Sequence, residues 1–330
     1  MRNLVYDNVT TSRLRSEVAR FPERVYVPNN LANTVDVIDP KTFKVVDHFR
    51  TDKVPHHIAP SWDMSTLYID NTYGNSLTPI DPATGKPGVP IPVEDPYNLY
   101  FTPDGTKAIV VAERFQRLNF YDPHTWKLIK SVVIPWAGAD HLDFSADGRY
   151  LMVTTEFTGM LARVDTQTME LAGAVHLGGL PVDVKLSPDG SVFYVTNQDP
   201  NHSGVSVVDP VEMAEVDFIP TESGAHGLYI SRDATKLYVS NRLAGSISVI
   251  DMATRQVVAT WHTGGSPDMI QISPDGRQLW VSGRFDSTVY VVDTATGDVI
   301  HRIKVGAGDH GLCYFPEPGR FSLGHNGVYR

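Results

Sequence analysis

The chain has 330 residues, 42% of them hydrophobic and 10% aromatic, which is ample for a packed core and gives no sign of disorder. Its formal charge is −10 with no run of Lys or Arg, which argues against nucleic acid or an anionic membrane surface as a partner. No stretch approaches the roughly 18 apolar residues of a membrane-spanning helix, and a single cysteine, Cys313, excludes an internal disulfide framework.

Met1 to Arg20 carries Arg2, Arg13, Arg15 and Arg20 among polar residues and lacks the apolar core of a secretory signal, so a cytoplasmic location is expected. Leu14, Val18 and Phe21 stand at helical spacing and predict a short helix in an N-terminal extension covering 1–23. From there to residue 330 the pattern is periodic and reads as one domain. One unit shows the cycle. Pro181 to Ser187 alternates apolar residues as a strand, and Pro188-Asp189-Gly190 makes a turn. Val192 to Asn197 is a second strand, Val205 to Asp209 a third and Ala214 to Ile219 a fourth.

Two acidic landmarks carry this cycle through the chain at intervals of 41 to 44 residues. The turn Asp recurs at Asp63, Asp104, Asp147, Asp189, Asp233 and Asp275, with Glu317 in the corresponding last place. The Asp closing the third strand recurs at Asp39, Asp81, Asp122, Asp165, Asp209, Asp251 and Asp293. Both sets hold turns. Four short antiparallel strands per unit at this period predict an all-β, seven-bladed β-propeller. The chain enters at Val25 in a second strand, so the missing innermost strand is supplied by His310 to Phe315 and the ring is closed by both termini. Arg320 to His325 also has the pattern of a second strand and competes for the place of Val25 to Pro28.

The repeats Tyr26 to Asn29 (YVPN), Tyr194 to Asn197 (YVTN) and Tyr238 to Asn241 (YVSN) resemble the YVTN-repeat propeller family over roughly Arg24 to Phe315. The closing text, Pro318 to Arg330, is similar to the ending of a bacterial branch of that family. The resemblance implies the fold and leaves function to the site, because propellers host scaffolds, binders and enzymes alike.

In a propeller the innermost strand begins, and the second strand ends, on the same face. Residues at those places surround one mouth of the central channel. Overlaying the units puts His56, Tyr97, Asp140, Val182, His226, Asp268 and His310 at one inner-strand position. The next position holds His57, Asn98, His141, Asp183, Gly227, Met269 and Gly311. Around the ends of the second strands come Asn71, Glu113, Arg114, Glu156, Asn197, Asn241, Arg242, Arg284 and His325. Five of the 12 histidines fall in the first two sets, where chance would place well under one. Imidazoles on one rim suit copper, iron, zinc or nickel.

The expected site is therefore a transition-metal centre held by a subset of His56, His57, His141, His226 and His310. Arg242 and Arg284 would hold an anionic substrate group, with an ion pair to Asp268 or Asp309 as the structural alternative. Tyr97 and Asn98 would also line the substrate. Asp268, Glu113, Glu156 and His325 are the candidate proton carriers. Cys313, inside the clasp strand, reads as a buried inert thiol.

The pair His56-His57 resembles the paired histidines of the copper-cluster propeller of nitrous oxide reductase, and the His-Gly elements at His226 and His310 are similar to further ligand positions there. Methanethiol oxidases have a comparable double histidine. These likenesses imply a copper or iron oxidoreductase acting on a small molecule at the channel mouth. With five inner-strand histidines where the nitrous oxide reductase cluster uses seven, mononuclear copper first, then iron or zinc, is expected in place of N₂O-reducing chemistry. A monomer or weak homo-oligomer is expected. A metal-dependent lyase or hydrolase of the virginiamycin B lyase type, and a non-catalytic scaffold, are the alternatives. Lactone hydrolysis, as in lactonases with similar blades, ranks below them.

Overall fold

In the computed structural model, which describes residues 5–325 and 329–330, seven antiparallel sheets stand around one axis. We number as blades 1 to 6 the units whose innermost strands are Pro55–Pro60, Asn98–Phe101, Ala139–Phe144, Pro181–Leu186, Ala225–Ile230 and Pro267–Ile272. Blade 7 is the clasp: Cys313–Phe315 pairs with Arg24–Asn29, followed by Thr34–Asp39 and Lys44–Arg50. Six blades have four strands. In blade 1 the outer strand is split into Lys86–Pro87 and Ile91–Pro92, where prolines remove ladder donors.

The inner three strands of each blade are almost wholly buried, and the outermost is exposed or half-buried along nearly its whole length. This gradient follows from the packing of twisted sheets face to face around an axis, which leaves only the outer edges wet. The Asn that ends several second strands serves the fold. Asn71 donates to Ser76 and Thr78, and Asn241 to Ser246 and Ser248, closing the hairpin to the third strand.

One local device aims residues into the channel. In blades 1, 3, 4, 5 and 6 the inner strand gains one residue on its neighbour: Pro55 faces Asn71, for example, and Ile58 faces Ile69. Such a bulge lets two successive residues project on one side. A hydroxyl from the second strand staples it. Thr154 accepts from the His141 N–H at 3.1 Å and donates to the Val182 carbonyl of the next blade at 2.6 Å. Thr196 does the same with Asp183 and His226, and Ser240 with Gly227 and Asp268. In blade 1 this place is held by Asp70, fully buried, neither of whose carboxyl oxygens has a well-formed hydrogen bond.

The first and last described residues pack on the face opposite the mouth. Val5 donates to the Pro188 carbonyl and Tyr6 to that of Leu186, at the far end of an inner strand. The expected helix is a single turn, Ser16–Ala19, with Val18 and Phe21 buried and Phe21 against Phe315.

The segment 320–325 does not become a second strand. Arg24–Asn29 already has a partner on each side, so no edge is left for it. Instead the tail runs up inside the channel beside the inner strand of blade 2. Ser322 N–H bonds to the Trp62 carbonyl, Phe101 N–H to that of Leu323, and Gly324 bridges Tyr100. Gly324 has φ +99°, and a Cβ there would lie 2.4 Å from the Leu99 carbonyl, so only glycine fits. Arg330 anchors the tail on Asp143 at 2.8 Å and on the Phe144 and Ser145 carbonyls.

Candidate functional site

The two inner-strand positions and the ascending tail meet inside the channel. His57 and His141 are fully buried, His325, His310 and His226 nearly so, and His56 is 9% exposed. Ring centroids lie 4.8 Å apart for His56 and His57, 4.6 Å for His57 and His310, 3.8 Å for His57 and His325, and 4.7 Å for His141 and His325. Among the described residues two triads could each hold a metal ion: His56, His57 and His310, and His57, His141 and His325. Within each, the ligand atoms lie within 4.8 Å of one another. His57 belongs to both.

The donor atoms fit such an ion. Both nitrogens of His57, both of His325 and Nε2 of His141 and His310 are buried without a hydrogen-bond partner. A buried polar atom left unpaired costs about 1–3 kcal/mol, so a cluster of them calls for an occupant. Their other contacts suit ligation too. His310 Nδ1 hydrogen-bonds Asp268, which orients an imidazole whose Nε2 is free, and His141 Nδ1 lies 2.7 Å from Asp140 Oδ1 without a hydrogen bond between them. Burial, reinforced by neighbouring imidazoles or guanidinium groups, holds His56, His57, His226, His310 and His325 well below the ordinary imidazole range. Their lone pairs are therefore available at neutral pH. For His141 burial also opposes the cation, but Asp140 outweighs it and the pKa rises.

His226 stands apart. Its Nε2 accepts from Arg242, its Nδ1 lies 3.1 Å from Asp268 without a hydrogen bond, and it belongs to neither triad. His325 is in the cluster, but on the C-terminal tail instead of at the end of a second strand. The two His-Gly elements also have separate reasons. A Cβ at Gly311 would stand 1.9 Å from His57 Nδ1, and one at Gly227 would stand 2.5 Å from the Asp268 carbonyl.

Arg242 is tied into the protein. It donates to Asp268 through Nε at 2.8 Å and through Nη2, and through Nη1 to Gln198 Oε1 at 3.3 Å. Gln198 in turn donates to Glu156. A chain of contacts thus sweeps around the mouth over five blades, from Glu156 through Gln198, Arg242 and Asp268 to His310. Burial opposes the Asp268 charge, but Arg242 and His226 outweigh it and lower the pKa. Arg284 differs from Arg242: its Nη1 is buried and has no partner.

Across the mouth lie Glu113, Glu156 and Tyr97, all partly buried, with Asn98 buried below and donating to the Asp140 carbonyl at 3.0 Å. Burial and then Asp140 push Glu113 up to about 7 and Glu156 up to about 8. Tyr97 packs 4.4 Å from the His56 ring, and the same two causes raise its pKa well above the usual phenol value. Cys313 is fully buried, and burial pushes its thiol up. Around the outside, six of the seven loops after the second strands present a large exposed apolar residue: Leu31, Tyr73, Phe115, Phe157, Leu243 and Phe285, 44% to 77% exposed.

Sequence reasoning missed Gln198, Asp70 and the path of the tail. Asp70 had a signal, an acid where four later repeats carry Thr154, Thr196, Ser240 and Ser282. Gln198 directly follows a repeat Asn, where Arg242 follows another.

Similar proteins agree with this architecture. No helix among the described residues is long and apolar enough to cross a membrane. Among curated proteins none matches the chain. Among solved structures it is similar to hydrazine synthase from Kuenenia stuttgartiensis, at 20% identity and a TM-score of 0.67, covering 77% of this chain and 87% of that one. It is also similar to the dihydro-heme d1 dehydrogenase NirN in complex with DHE, at 16% identity and TM-score 0.69, covering 92% and 77%. A functionally unknown protein from Desulfotomaculum acetoxidans matches at 16% identity and TM-score 0.76, covering 89% and 99%. At such identities these structures speak for the fold alone. The YNCE-like beta-propeller family matches residues 8–318, and the chain belongs to that family.

Proposed function

We propose that the protein is a metal-dependent enzyme acting on a small molecule at the mouth of the propeller channel, of the copper- or iron-type oxidoreductase class. The observation that supports this reading is the convergence of His56, His57, His141, His310 and His325 as two buried triads with unpaired ring nitrogens. A set of neutral imidazoles without thiolate favours copper among the divalent ions, and the same ligand type also suits iron and zinc. When bound, such an ion supplies Lewis acidity or one-electron chemistry.

The protein's own groups have separate tasks. Asp268 orients His310, and Asp140 lies beside His141. Arg284, with a buried unpaired Nη1, suits an anionic group of the substrate. Arg242 acts indirectly by holding Asp268, His226 and Gln198 in place. The exposed apolar rim suits an apolar substrate body.

A second reading, a metal-dependent lyase or hydrolase, is favoured by Glu113 and Glu156. With pKa values of about 7 and 8, each can exchange a proton at neutral pH. Elemental analysis of the purified protein and of His57→Ala, after reconstitution with copper, iron or zinc, tests the common core of both readings. The wild type is expected to retain metal in stoichiometric amount and the variant to lose it while staying folded. Absence of metal from reconstituted wild type would leave a non-catalytic propeller.

A further inference from the structure

Two triads drawn from five histidines must share a member, and that member is His57. Its ring is fully buried, and neither nitrogen has a hydrogen-bond partner. One ion could satisfy one nitrogen and would leave the other stranded in the protein. Nδ1 lies against Gly311, the residue after His310, where a Cβ would stand 1.9 Å away. Among the neighbouring rings, that of His325 is closest to His57, at 3.8 Å.

We propose that the centre is dinuclear, with His57 bridging two metal ions. The first ion is held by His56, His310 and His57 Nδ1, and the second by His141, the tail residue His325 and His57 Nε2. A neutral imidazole has one lone pair and one N–H. Binding the second ion therefore displaces the ring proton to solvent, and His57 bridges as imidazolate. The two halves also differ in origin. The first ion sits wholly on inner strands of the ring, whereas the second draws a ligand from the C-terminal segment that climbs the channel past Phe101 and Tyr100. Asp268 and Asp140 divide accordingly, one behind each ion.

This proposal rests on the metal-centre reading above, and copper(II) alone is a sufficient probe. Metal-free protein is titrated with Cu(II), bound copper is counted by elemental analysis after desalting, and the spin count is measured by electron paramagnetic resonance. The full-length wild type is expected to hold two ions per chain, with a spin count well below two because the imidazolate couples them. His325→Gln and His310→Gln should each hold one ion with a full, uncoupled signal. Circular dichroism checks that both variants stay folded. One ion per chain in wild type, unaffected by His325→Gln, would overturn the dinuclear proposal and leave the mononuclear enzyme standing. Two ions with two full spins would overturn the bridge. No bound copper, with none of iron or zinc either, would overturn this proposal together with the reading beneath it.

Discussion

Replacing Asp70 with threonine should stabilise the protein, and increasingly so as pH rises. Asp70 occupies the place where Thr154, Thr196 and Ser240 staple an inner-strand bulge to the next blade. Its carboxyl is fully buried, neither oxygen has a well-formed hydrogen bond, and burial, only partly offset by the Leu99 backbone, pushes its pKa well above the ordinary value. The folded state therefore retains a proton that the unfolded chain releases above about pH 4. Stability is full below that pH and falls as pH rises toward the folded-state pKa. The substitution removes this dependence and supplies a hydroxyl able to accept from the His57 N–H and donate to the Tyr97 carbonyl. Relief of an unsatisfied buried group is worth about 1–3 kcal/mol. Taking about 2 kcal/mol, and about 2.1 cal/mol/K of unfolding entropy per residue, a chain of 330 residues gains roughly 3 °C in Tm. Thermal melts of metal-free wild type and Asp70→Thr between pH 4 and pH 8 measure this. Equal slopes with pH, or a variant that melts lower at pH 8, would refute the reasoning.

Other substitutions probe separate parts of the site. Gly311→Ala should displace the His57 ring, cost about 1–3 kcal/mol through overpacking and lower copper retention, as read by urea unfolding and elemental analysis. Asp268→Asn should leave the Arg242 guanidinium short of countercharge and weaken metal binding by about 10–100-fold, measured by competition with a chelator; unchanged affinity would show that Asp268 does not orient His310. Arg330→Ala strands Asp143, 1% exposed in its side chain, and should cost about 3–5 kcal/mol in urea unfolding. The Cys313 thiol, fully buried with its pKa pushed up, should resist a thiol reagent in native protein and react once per chain in denaturant.

Much of the ring was legible because its landmarks are local. A turn Asp that accepts from the serine or threonine two residues before it, as Asp189 does from Ser187, leaves a pattern that repeats with the blade. The two channel-facing positions were legible for the same reason, although the bulge that makes both face inward depends on pairing between strands and leaves no periodic signal. The clasp was legible from the missing first strand. The route of residues 320–325 was not, since RFSLGH has the alternation of a second strand and only the occupied edges of Arg24–Asn29 deny it that place. That single misplacement put His325 among the proton carriers at the mouth instead of among the metal ligands. His226 shows the converse: its position is right, but side-chain partners on neighbouring blades decide that its nitrogens meet Arg242 and Asp268.

The central claim is that metal is bound at the shared histidine of the channel. A crystal of copper-reconstituted protein, measured on both sides of the copper absorption edge, locates the ion directly. Anomalous density is expected beside His57, at bonding distances of about 2.0–2.1 Å from its ring nitrogens, with His310 and His325 on opposite sides. Density at Glu113 and Glu156 alone, or none within the channel at full copper loading, would contradict it.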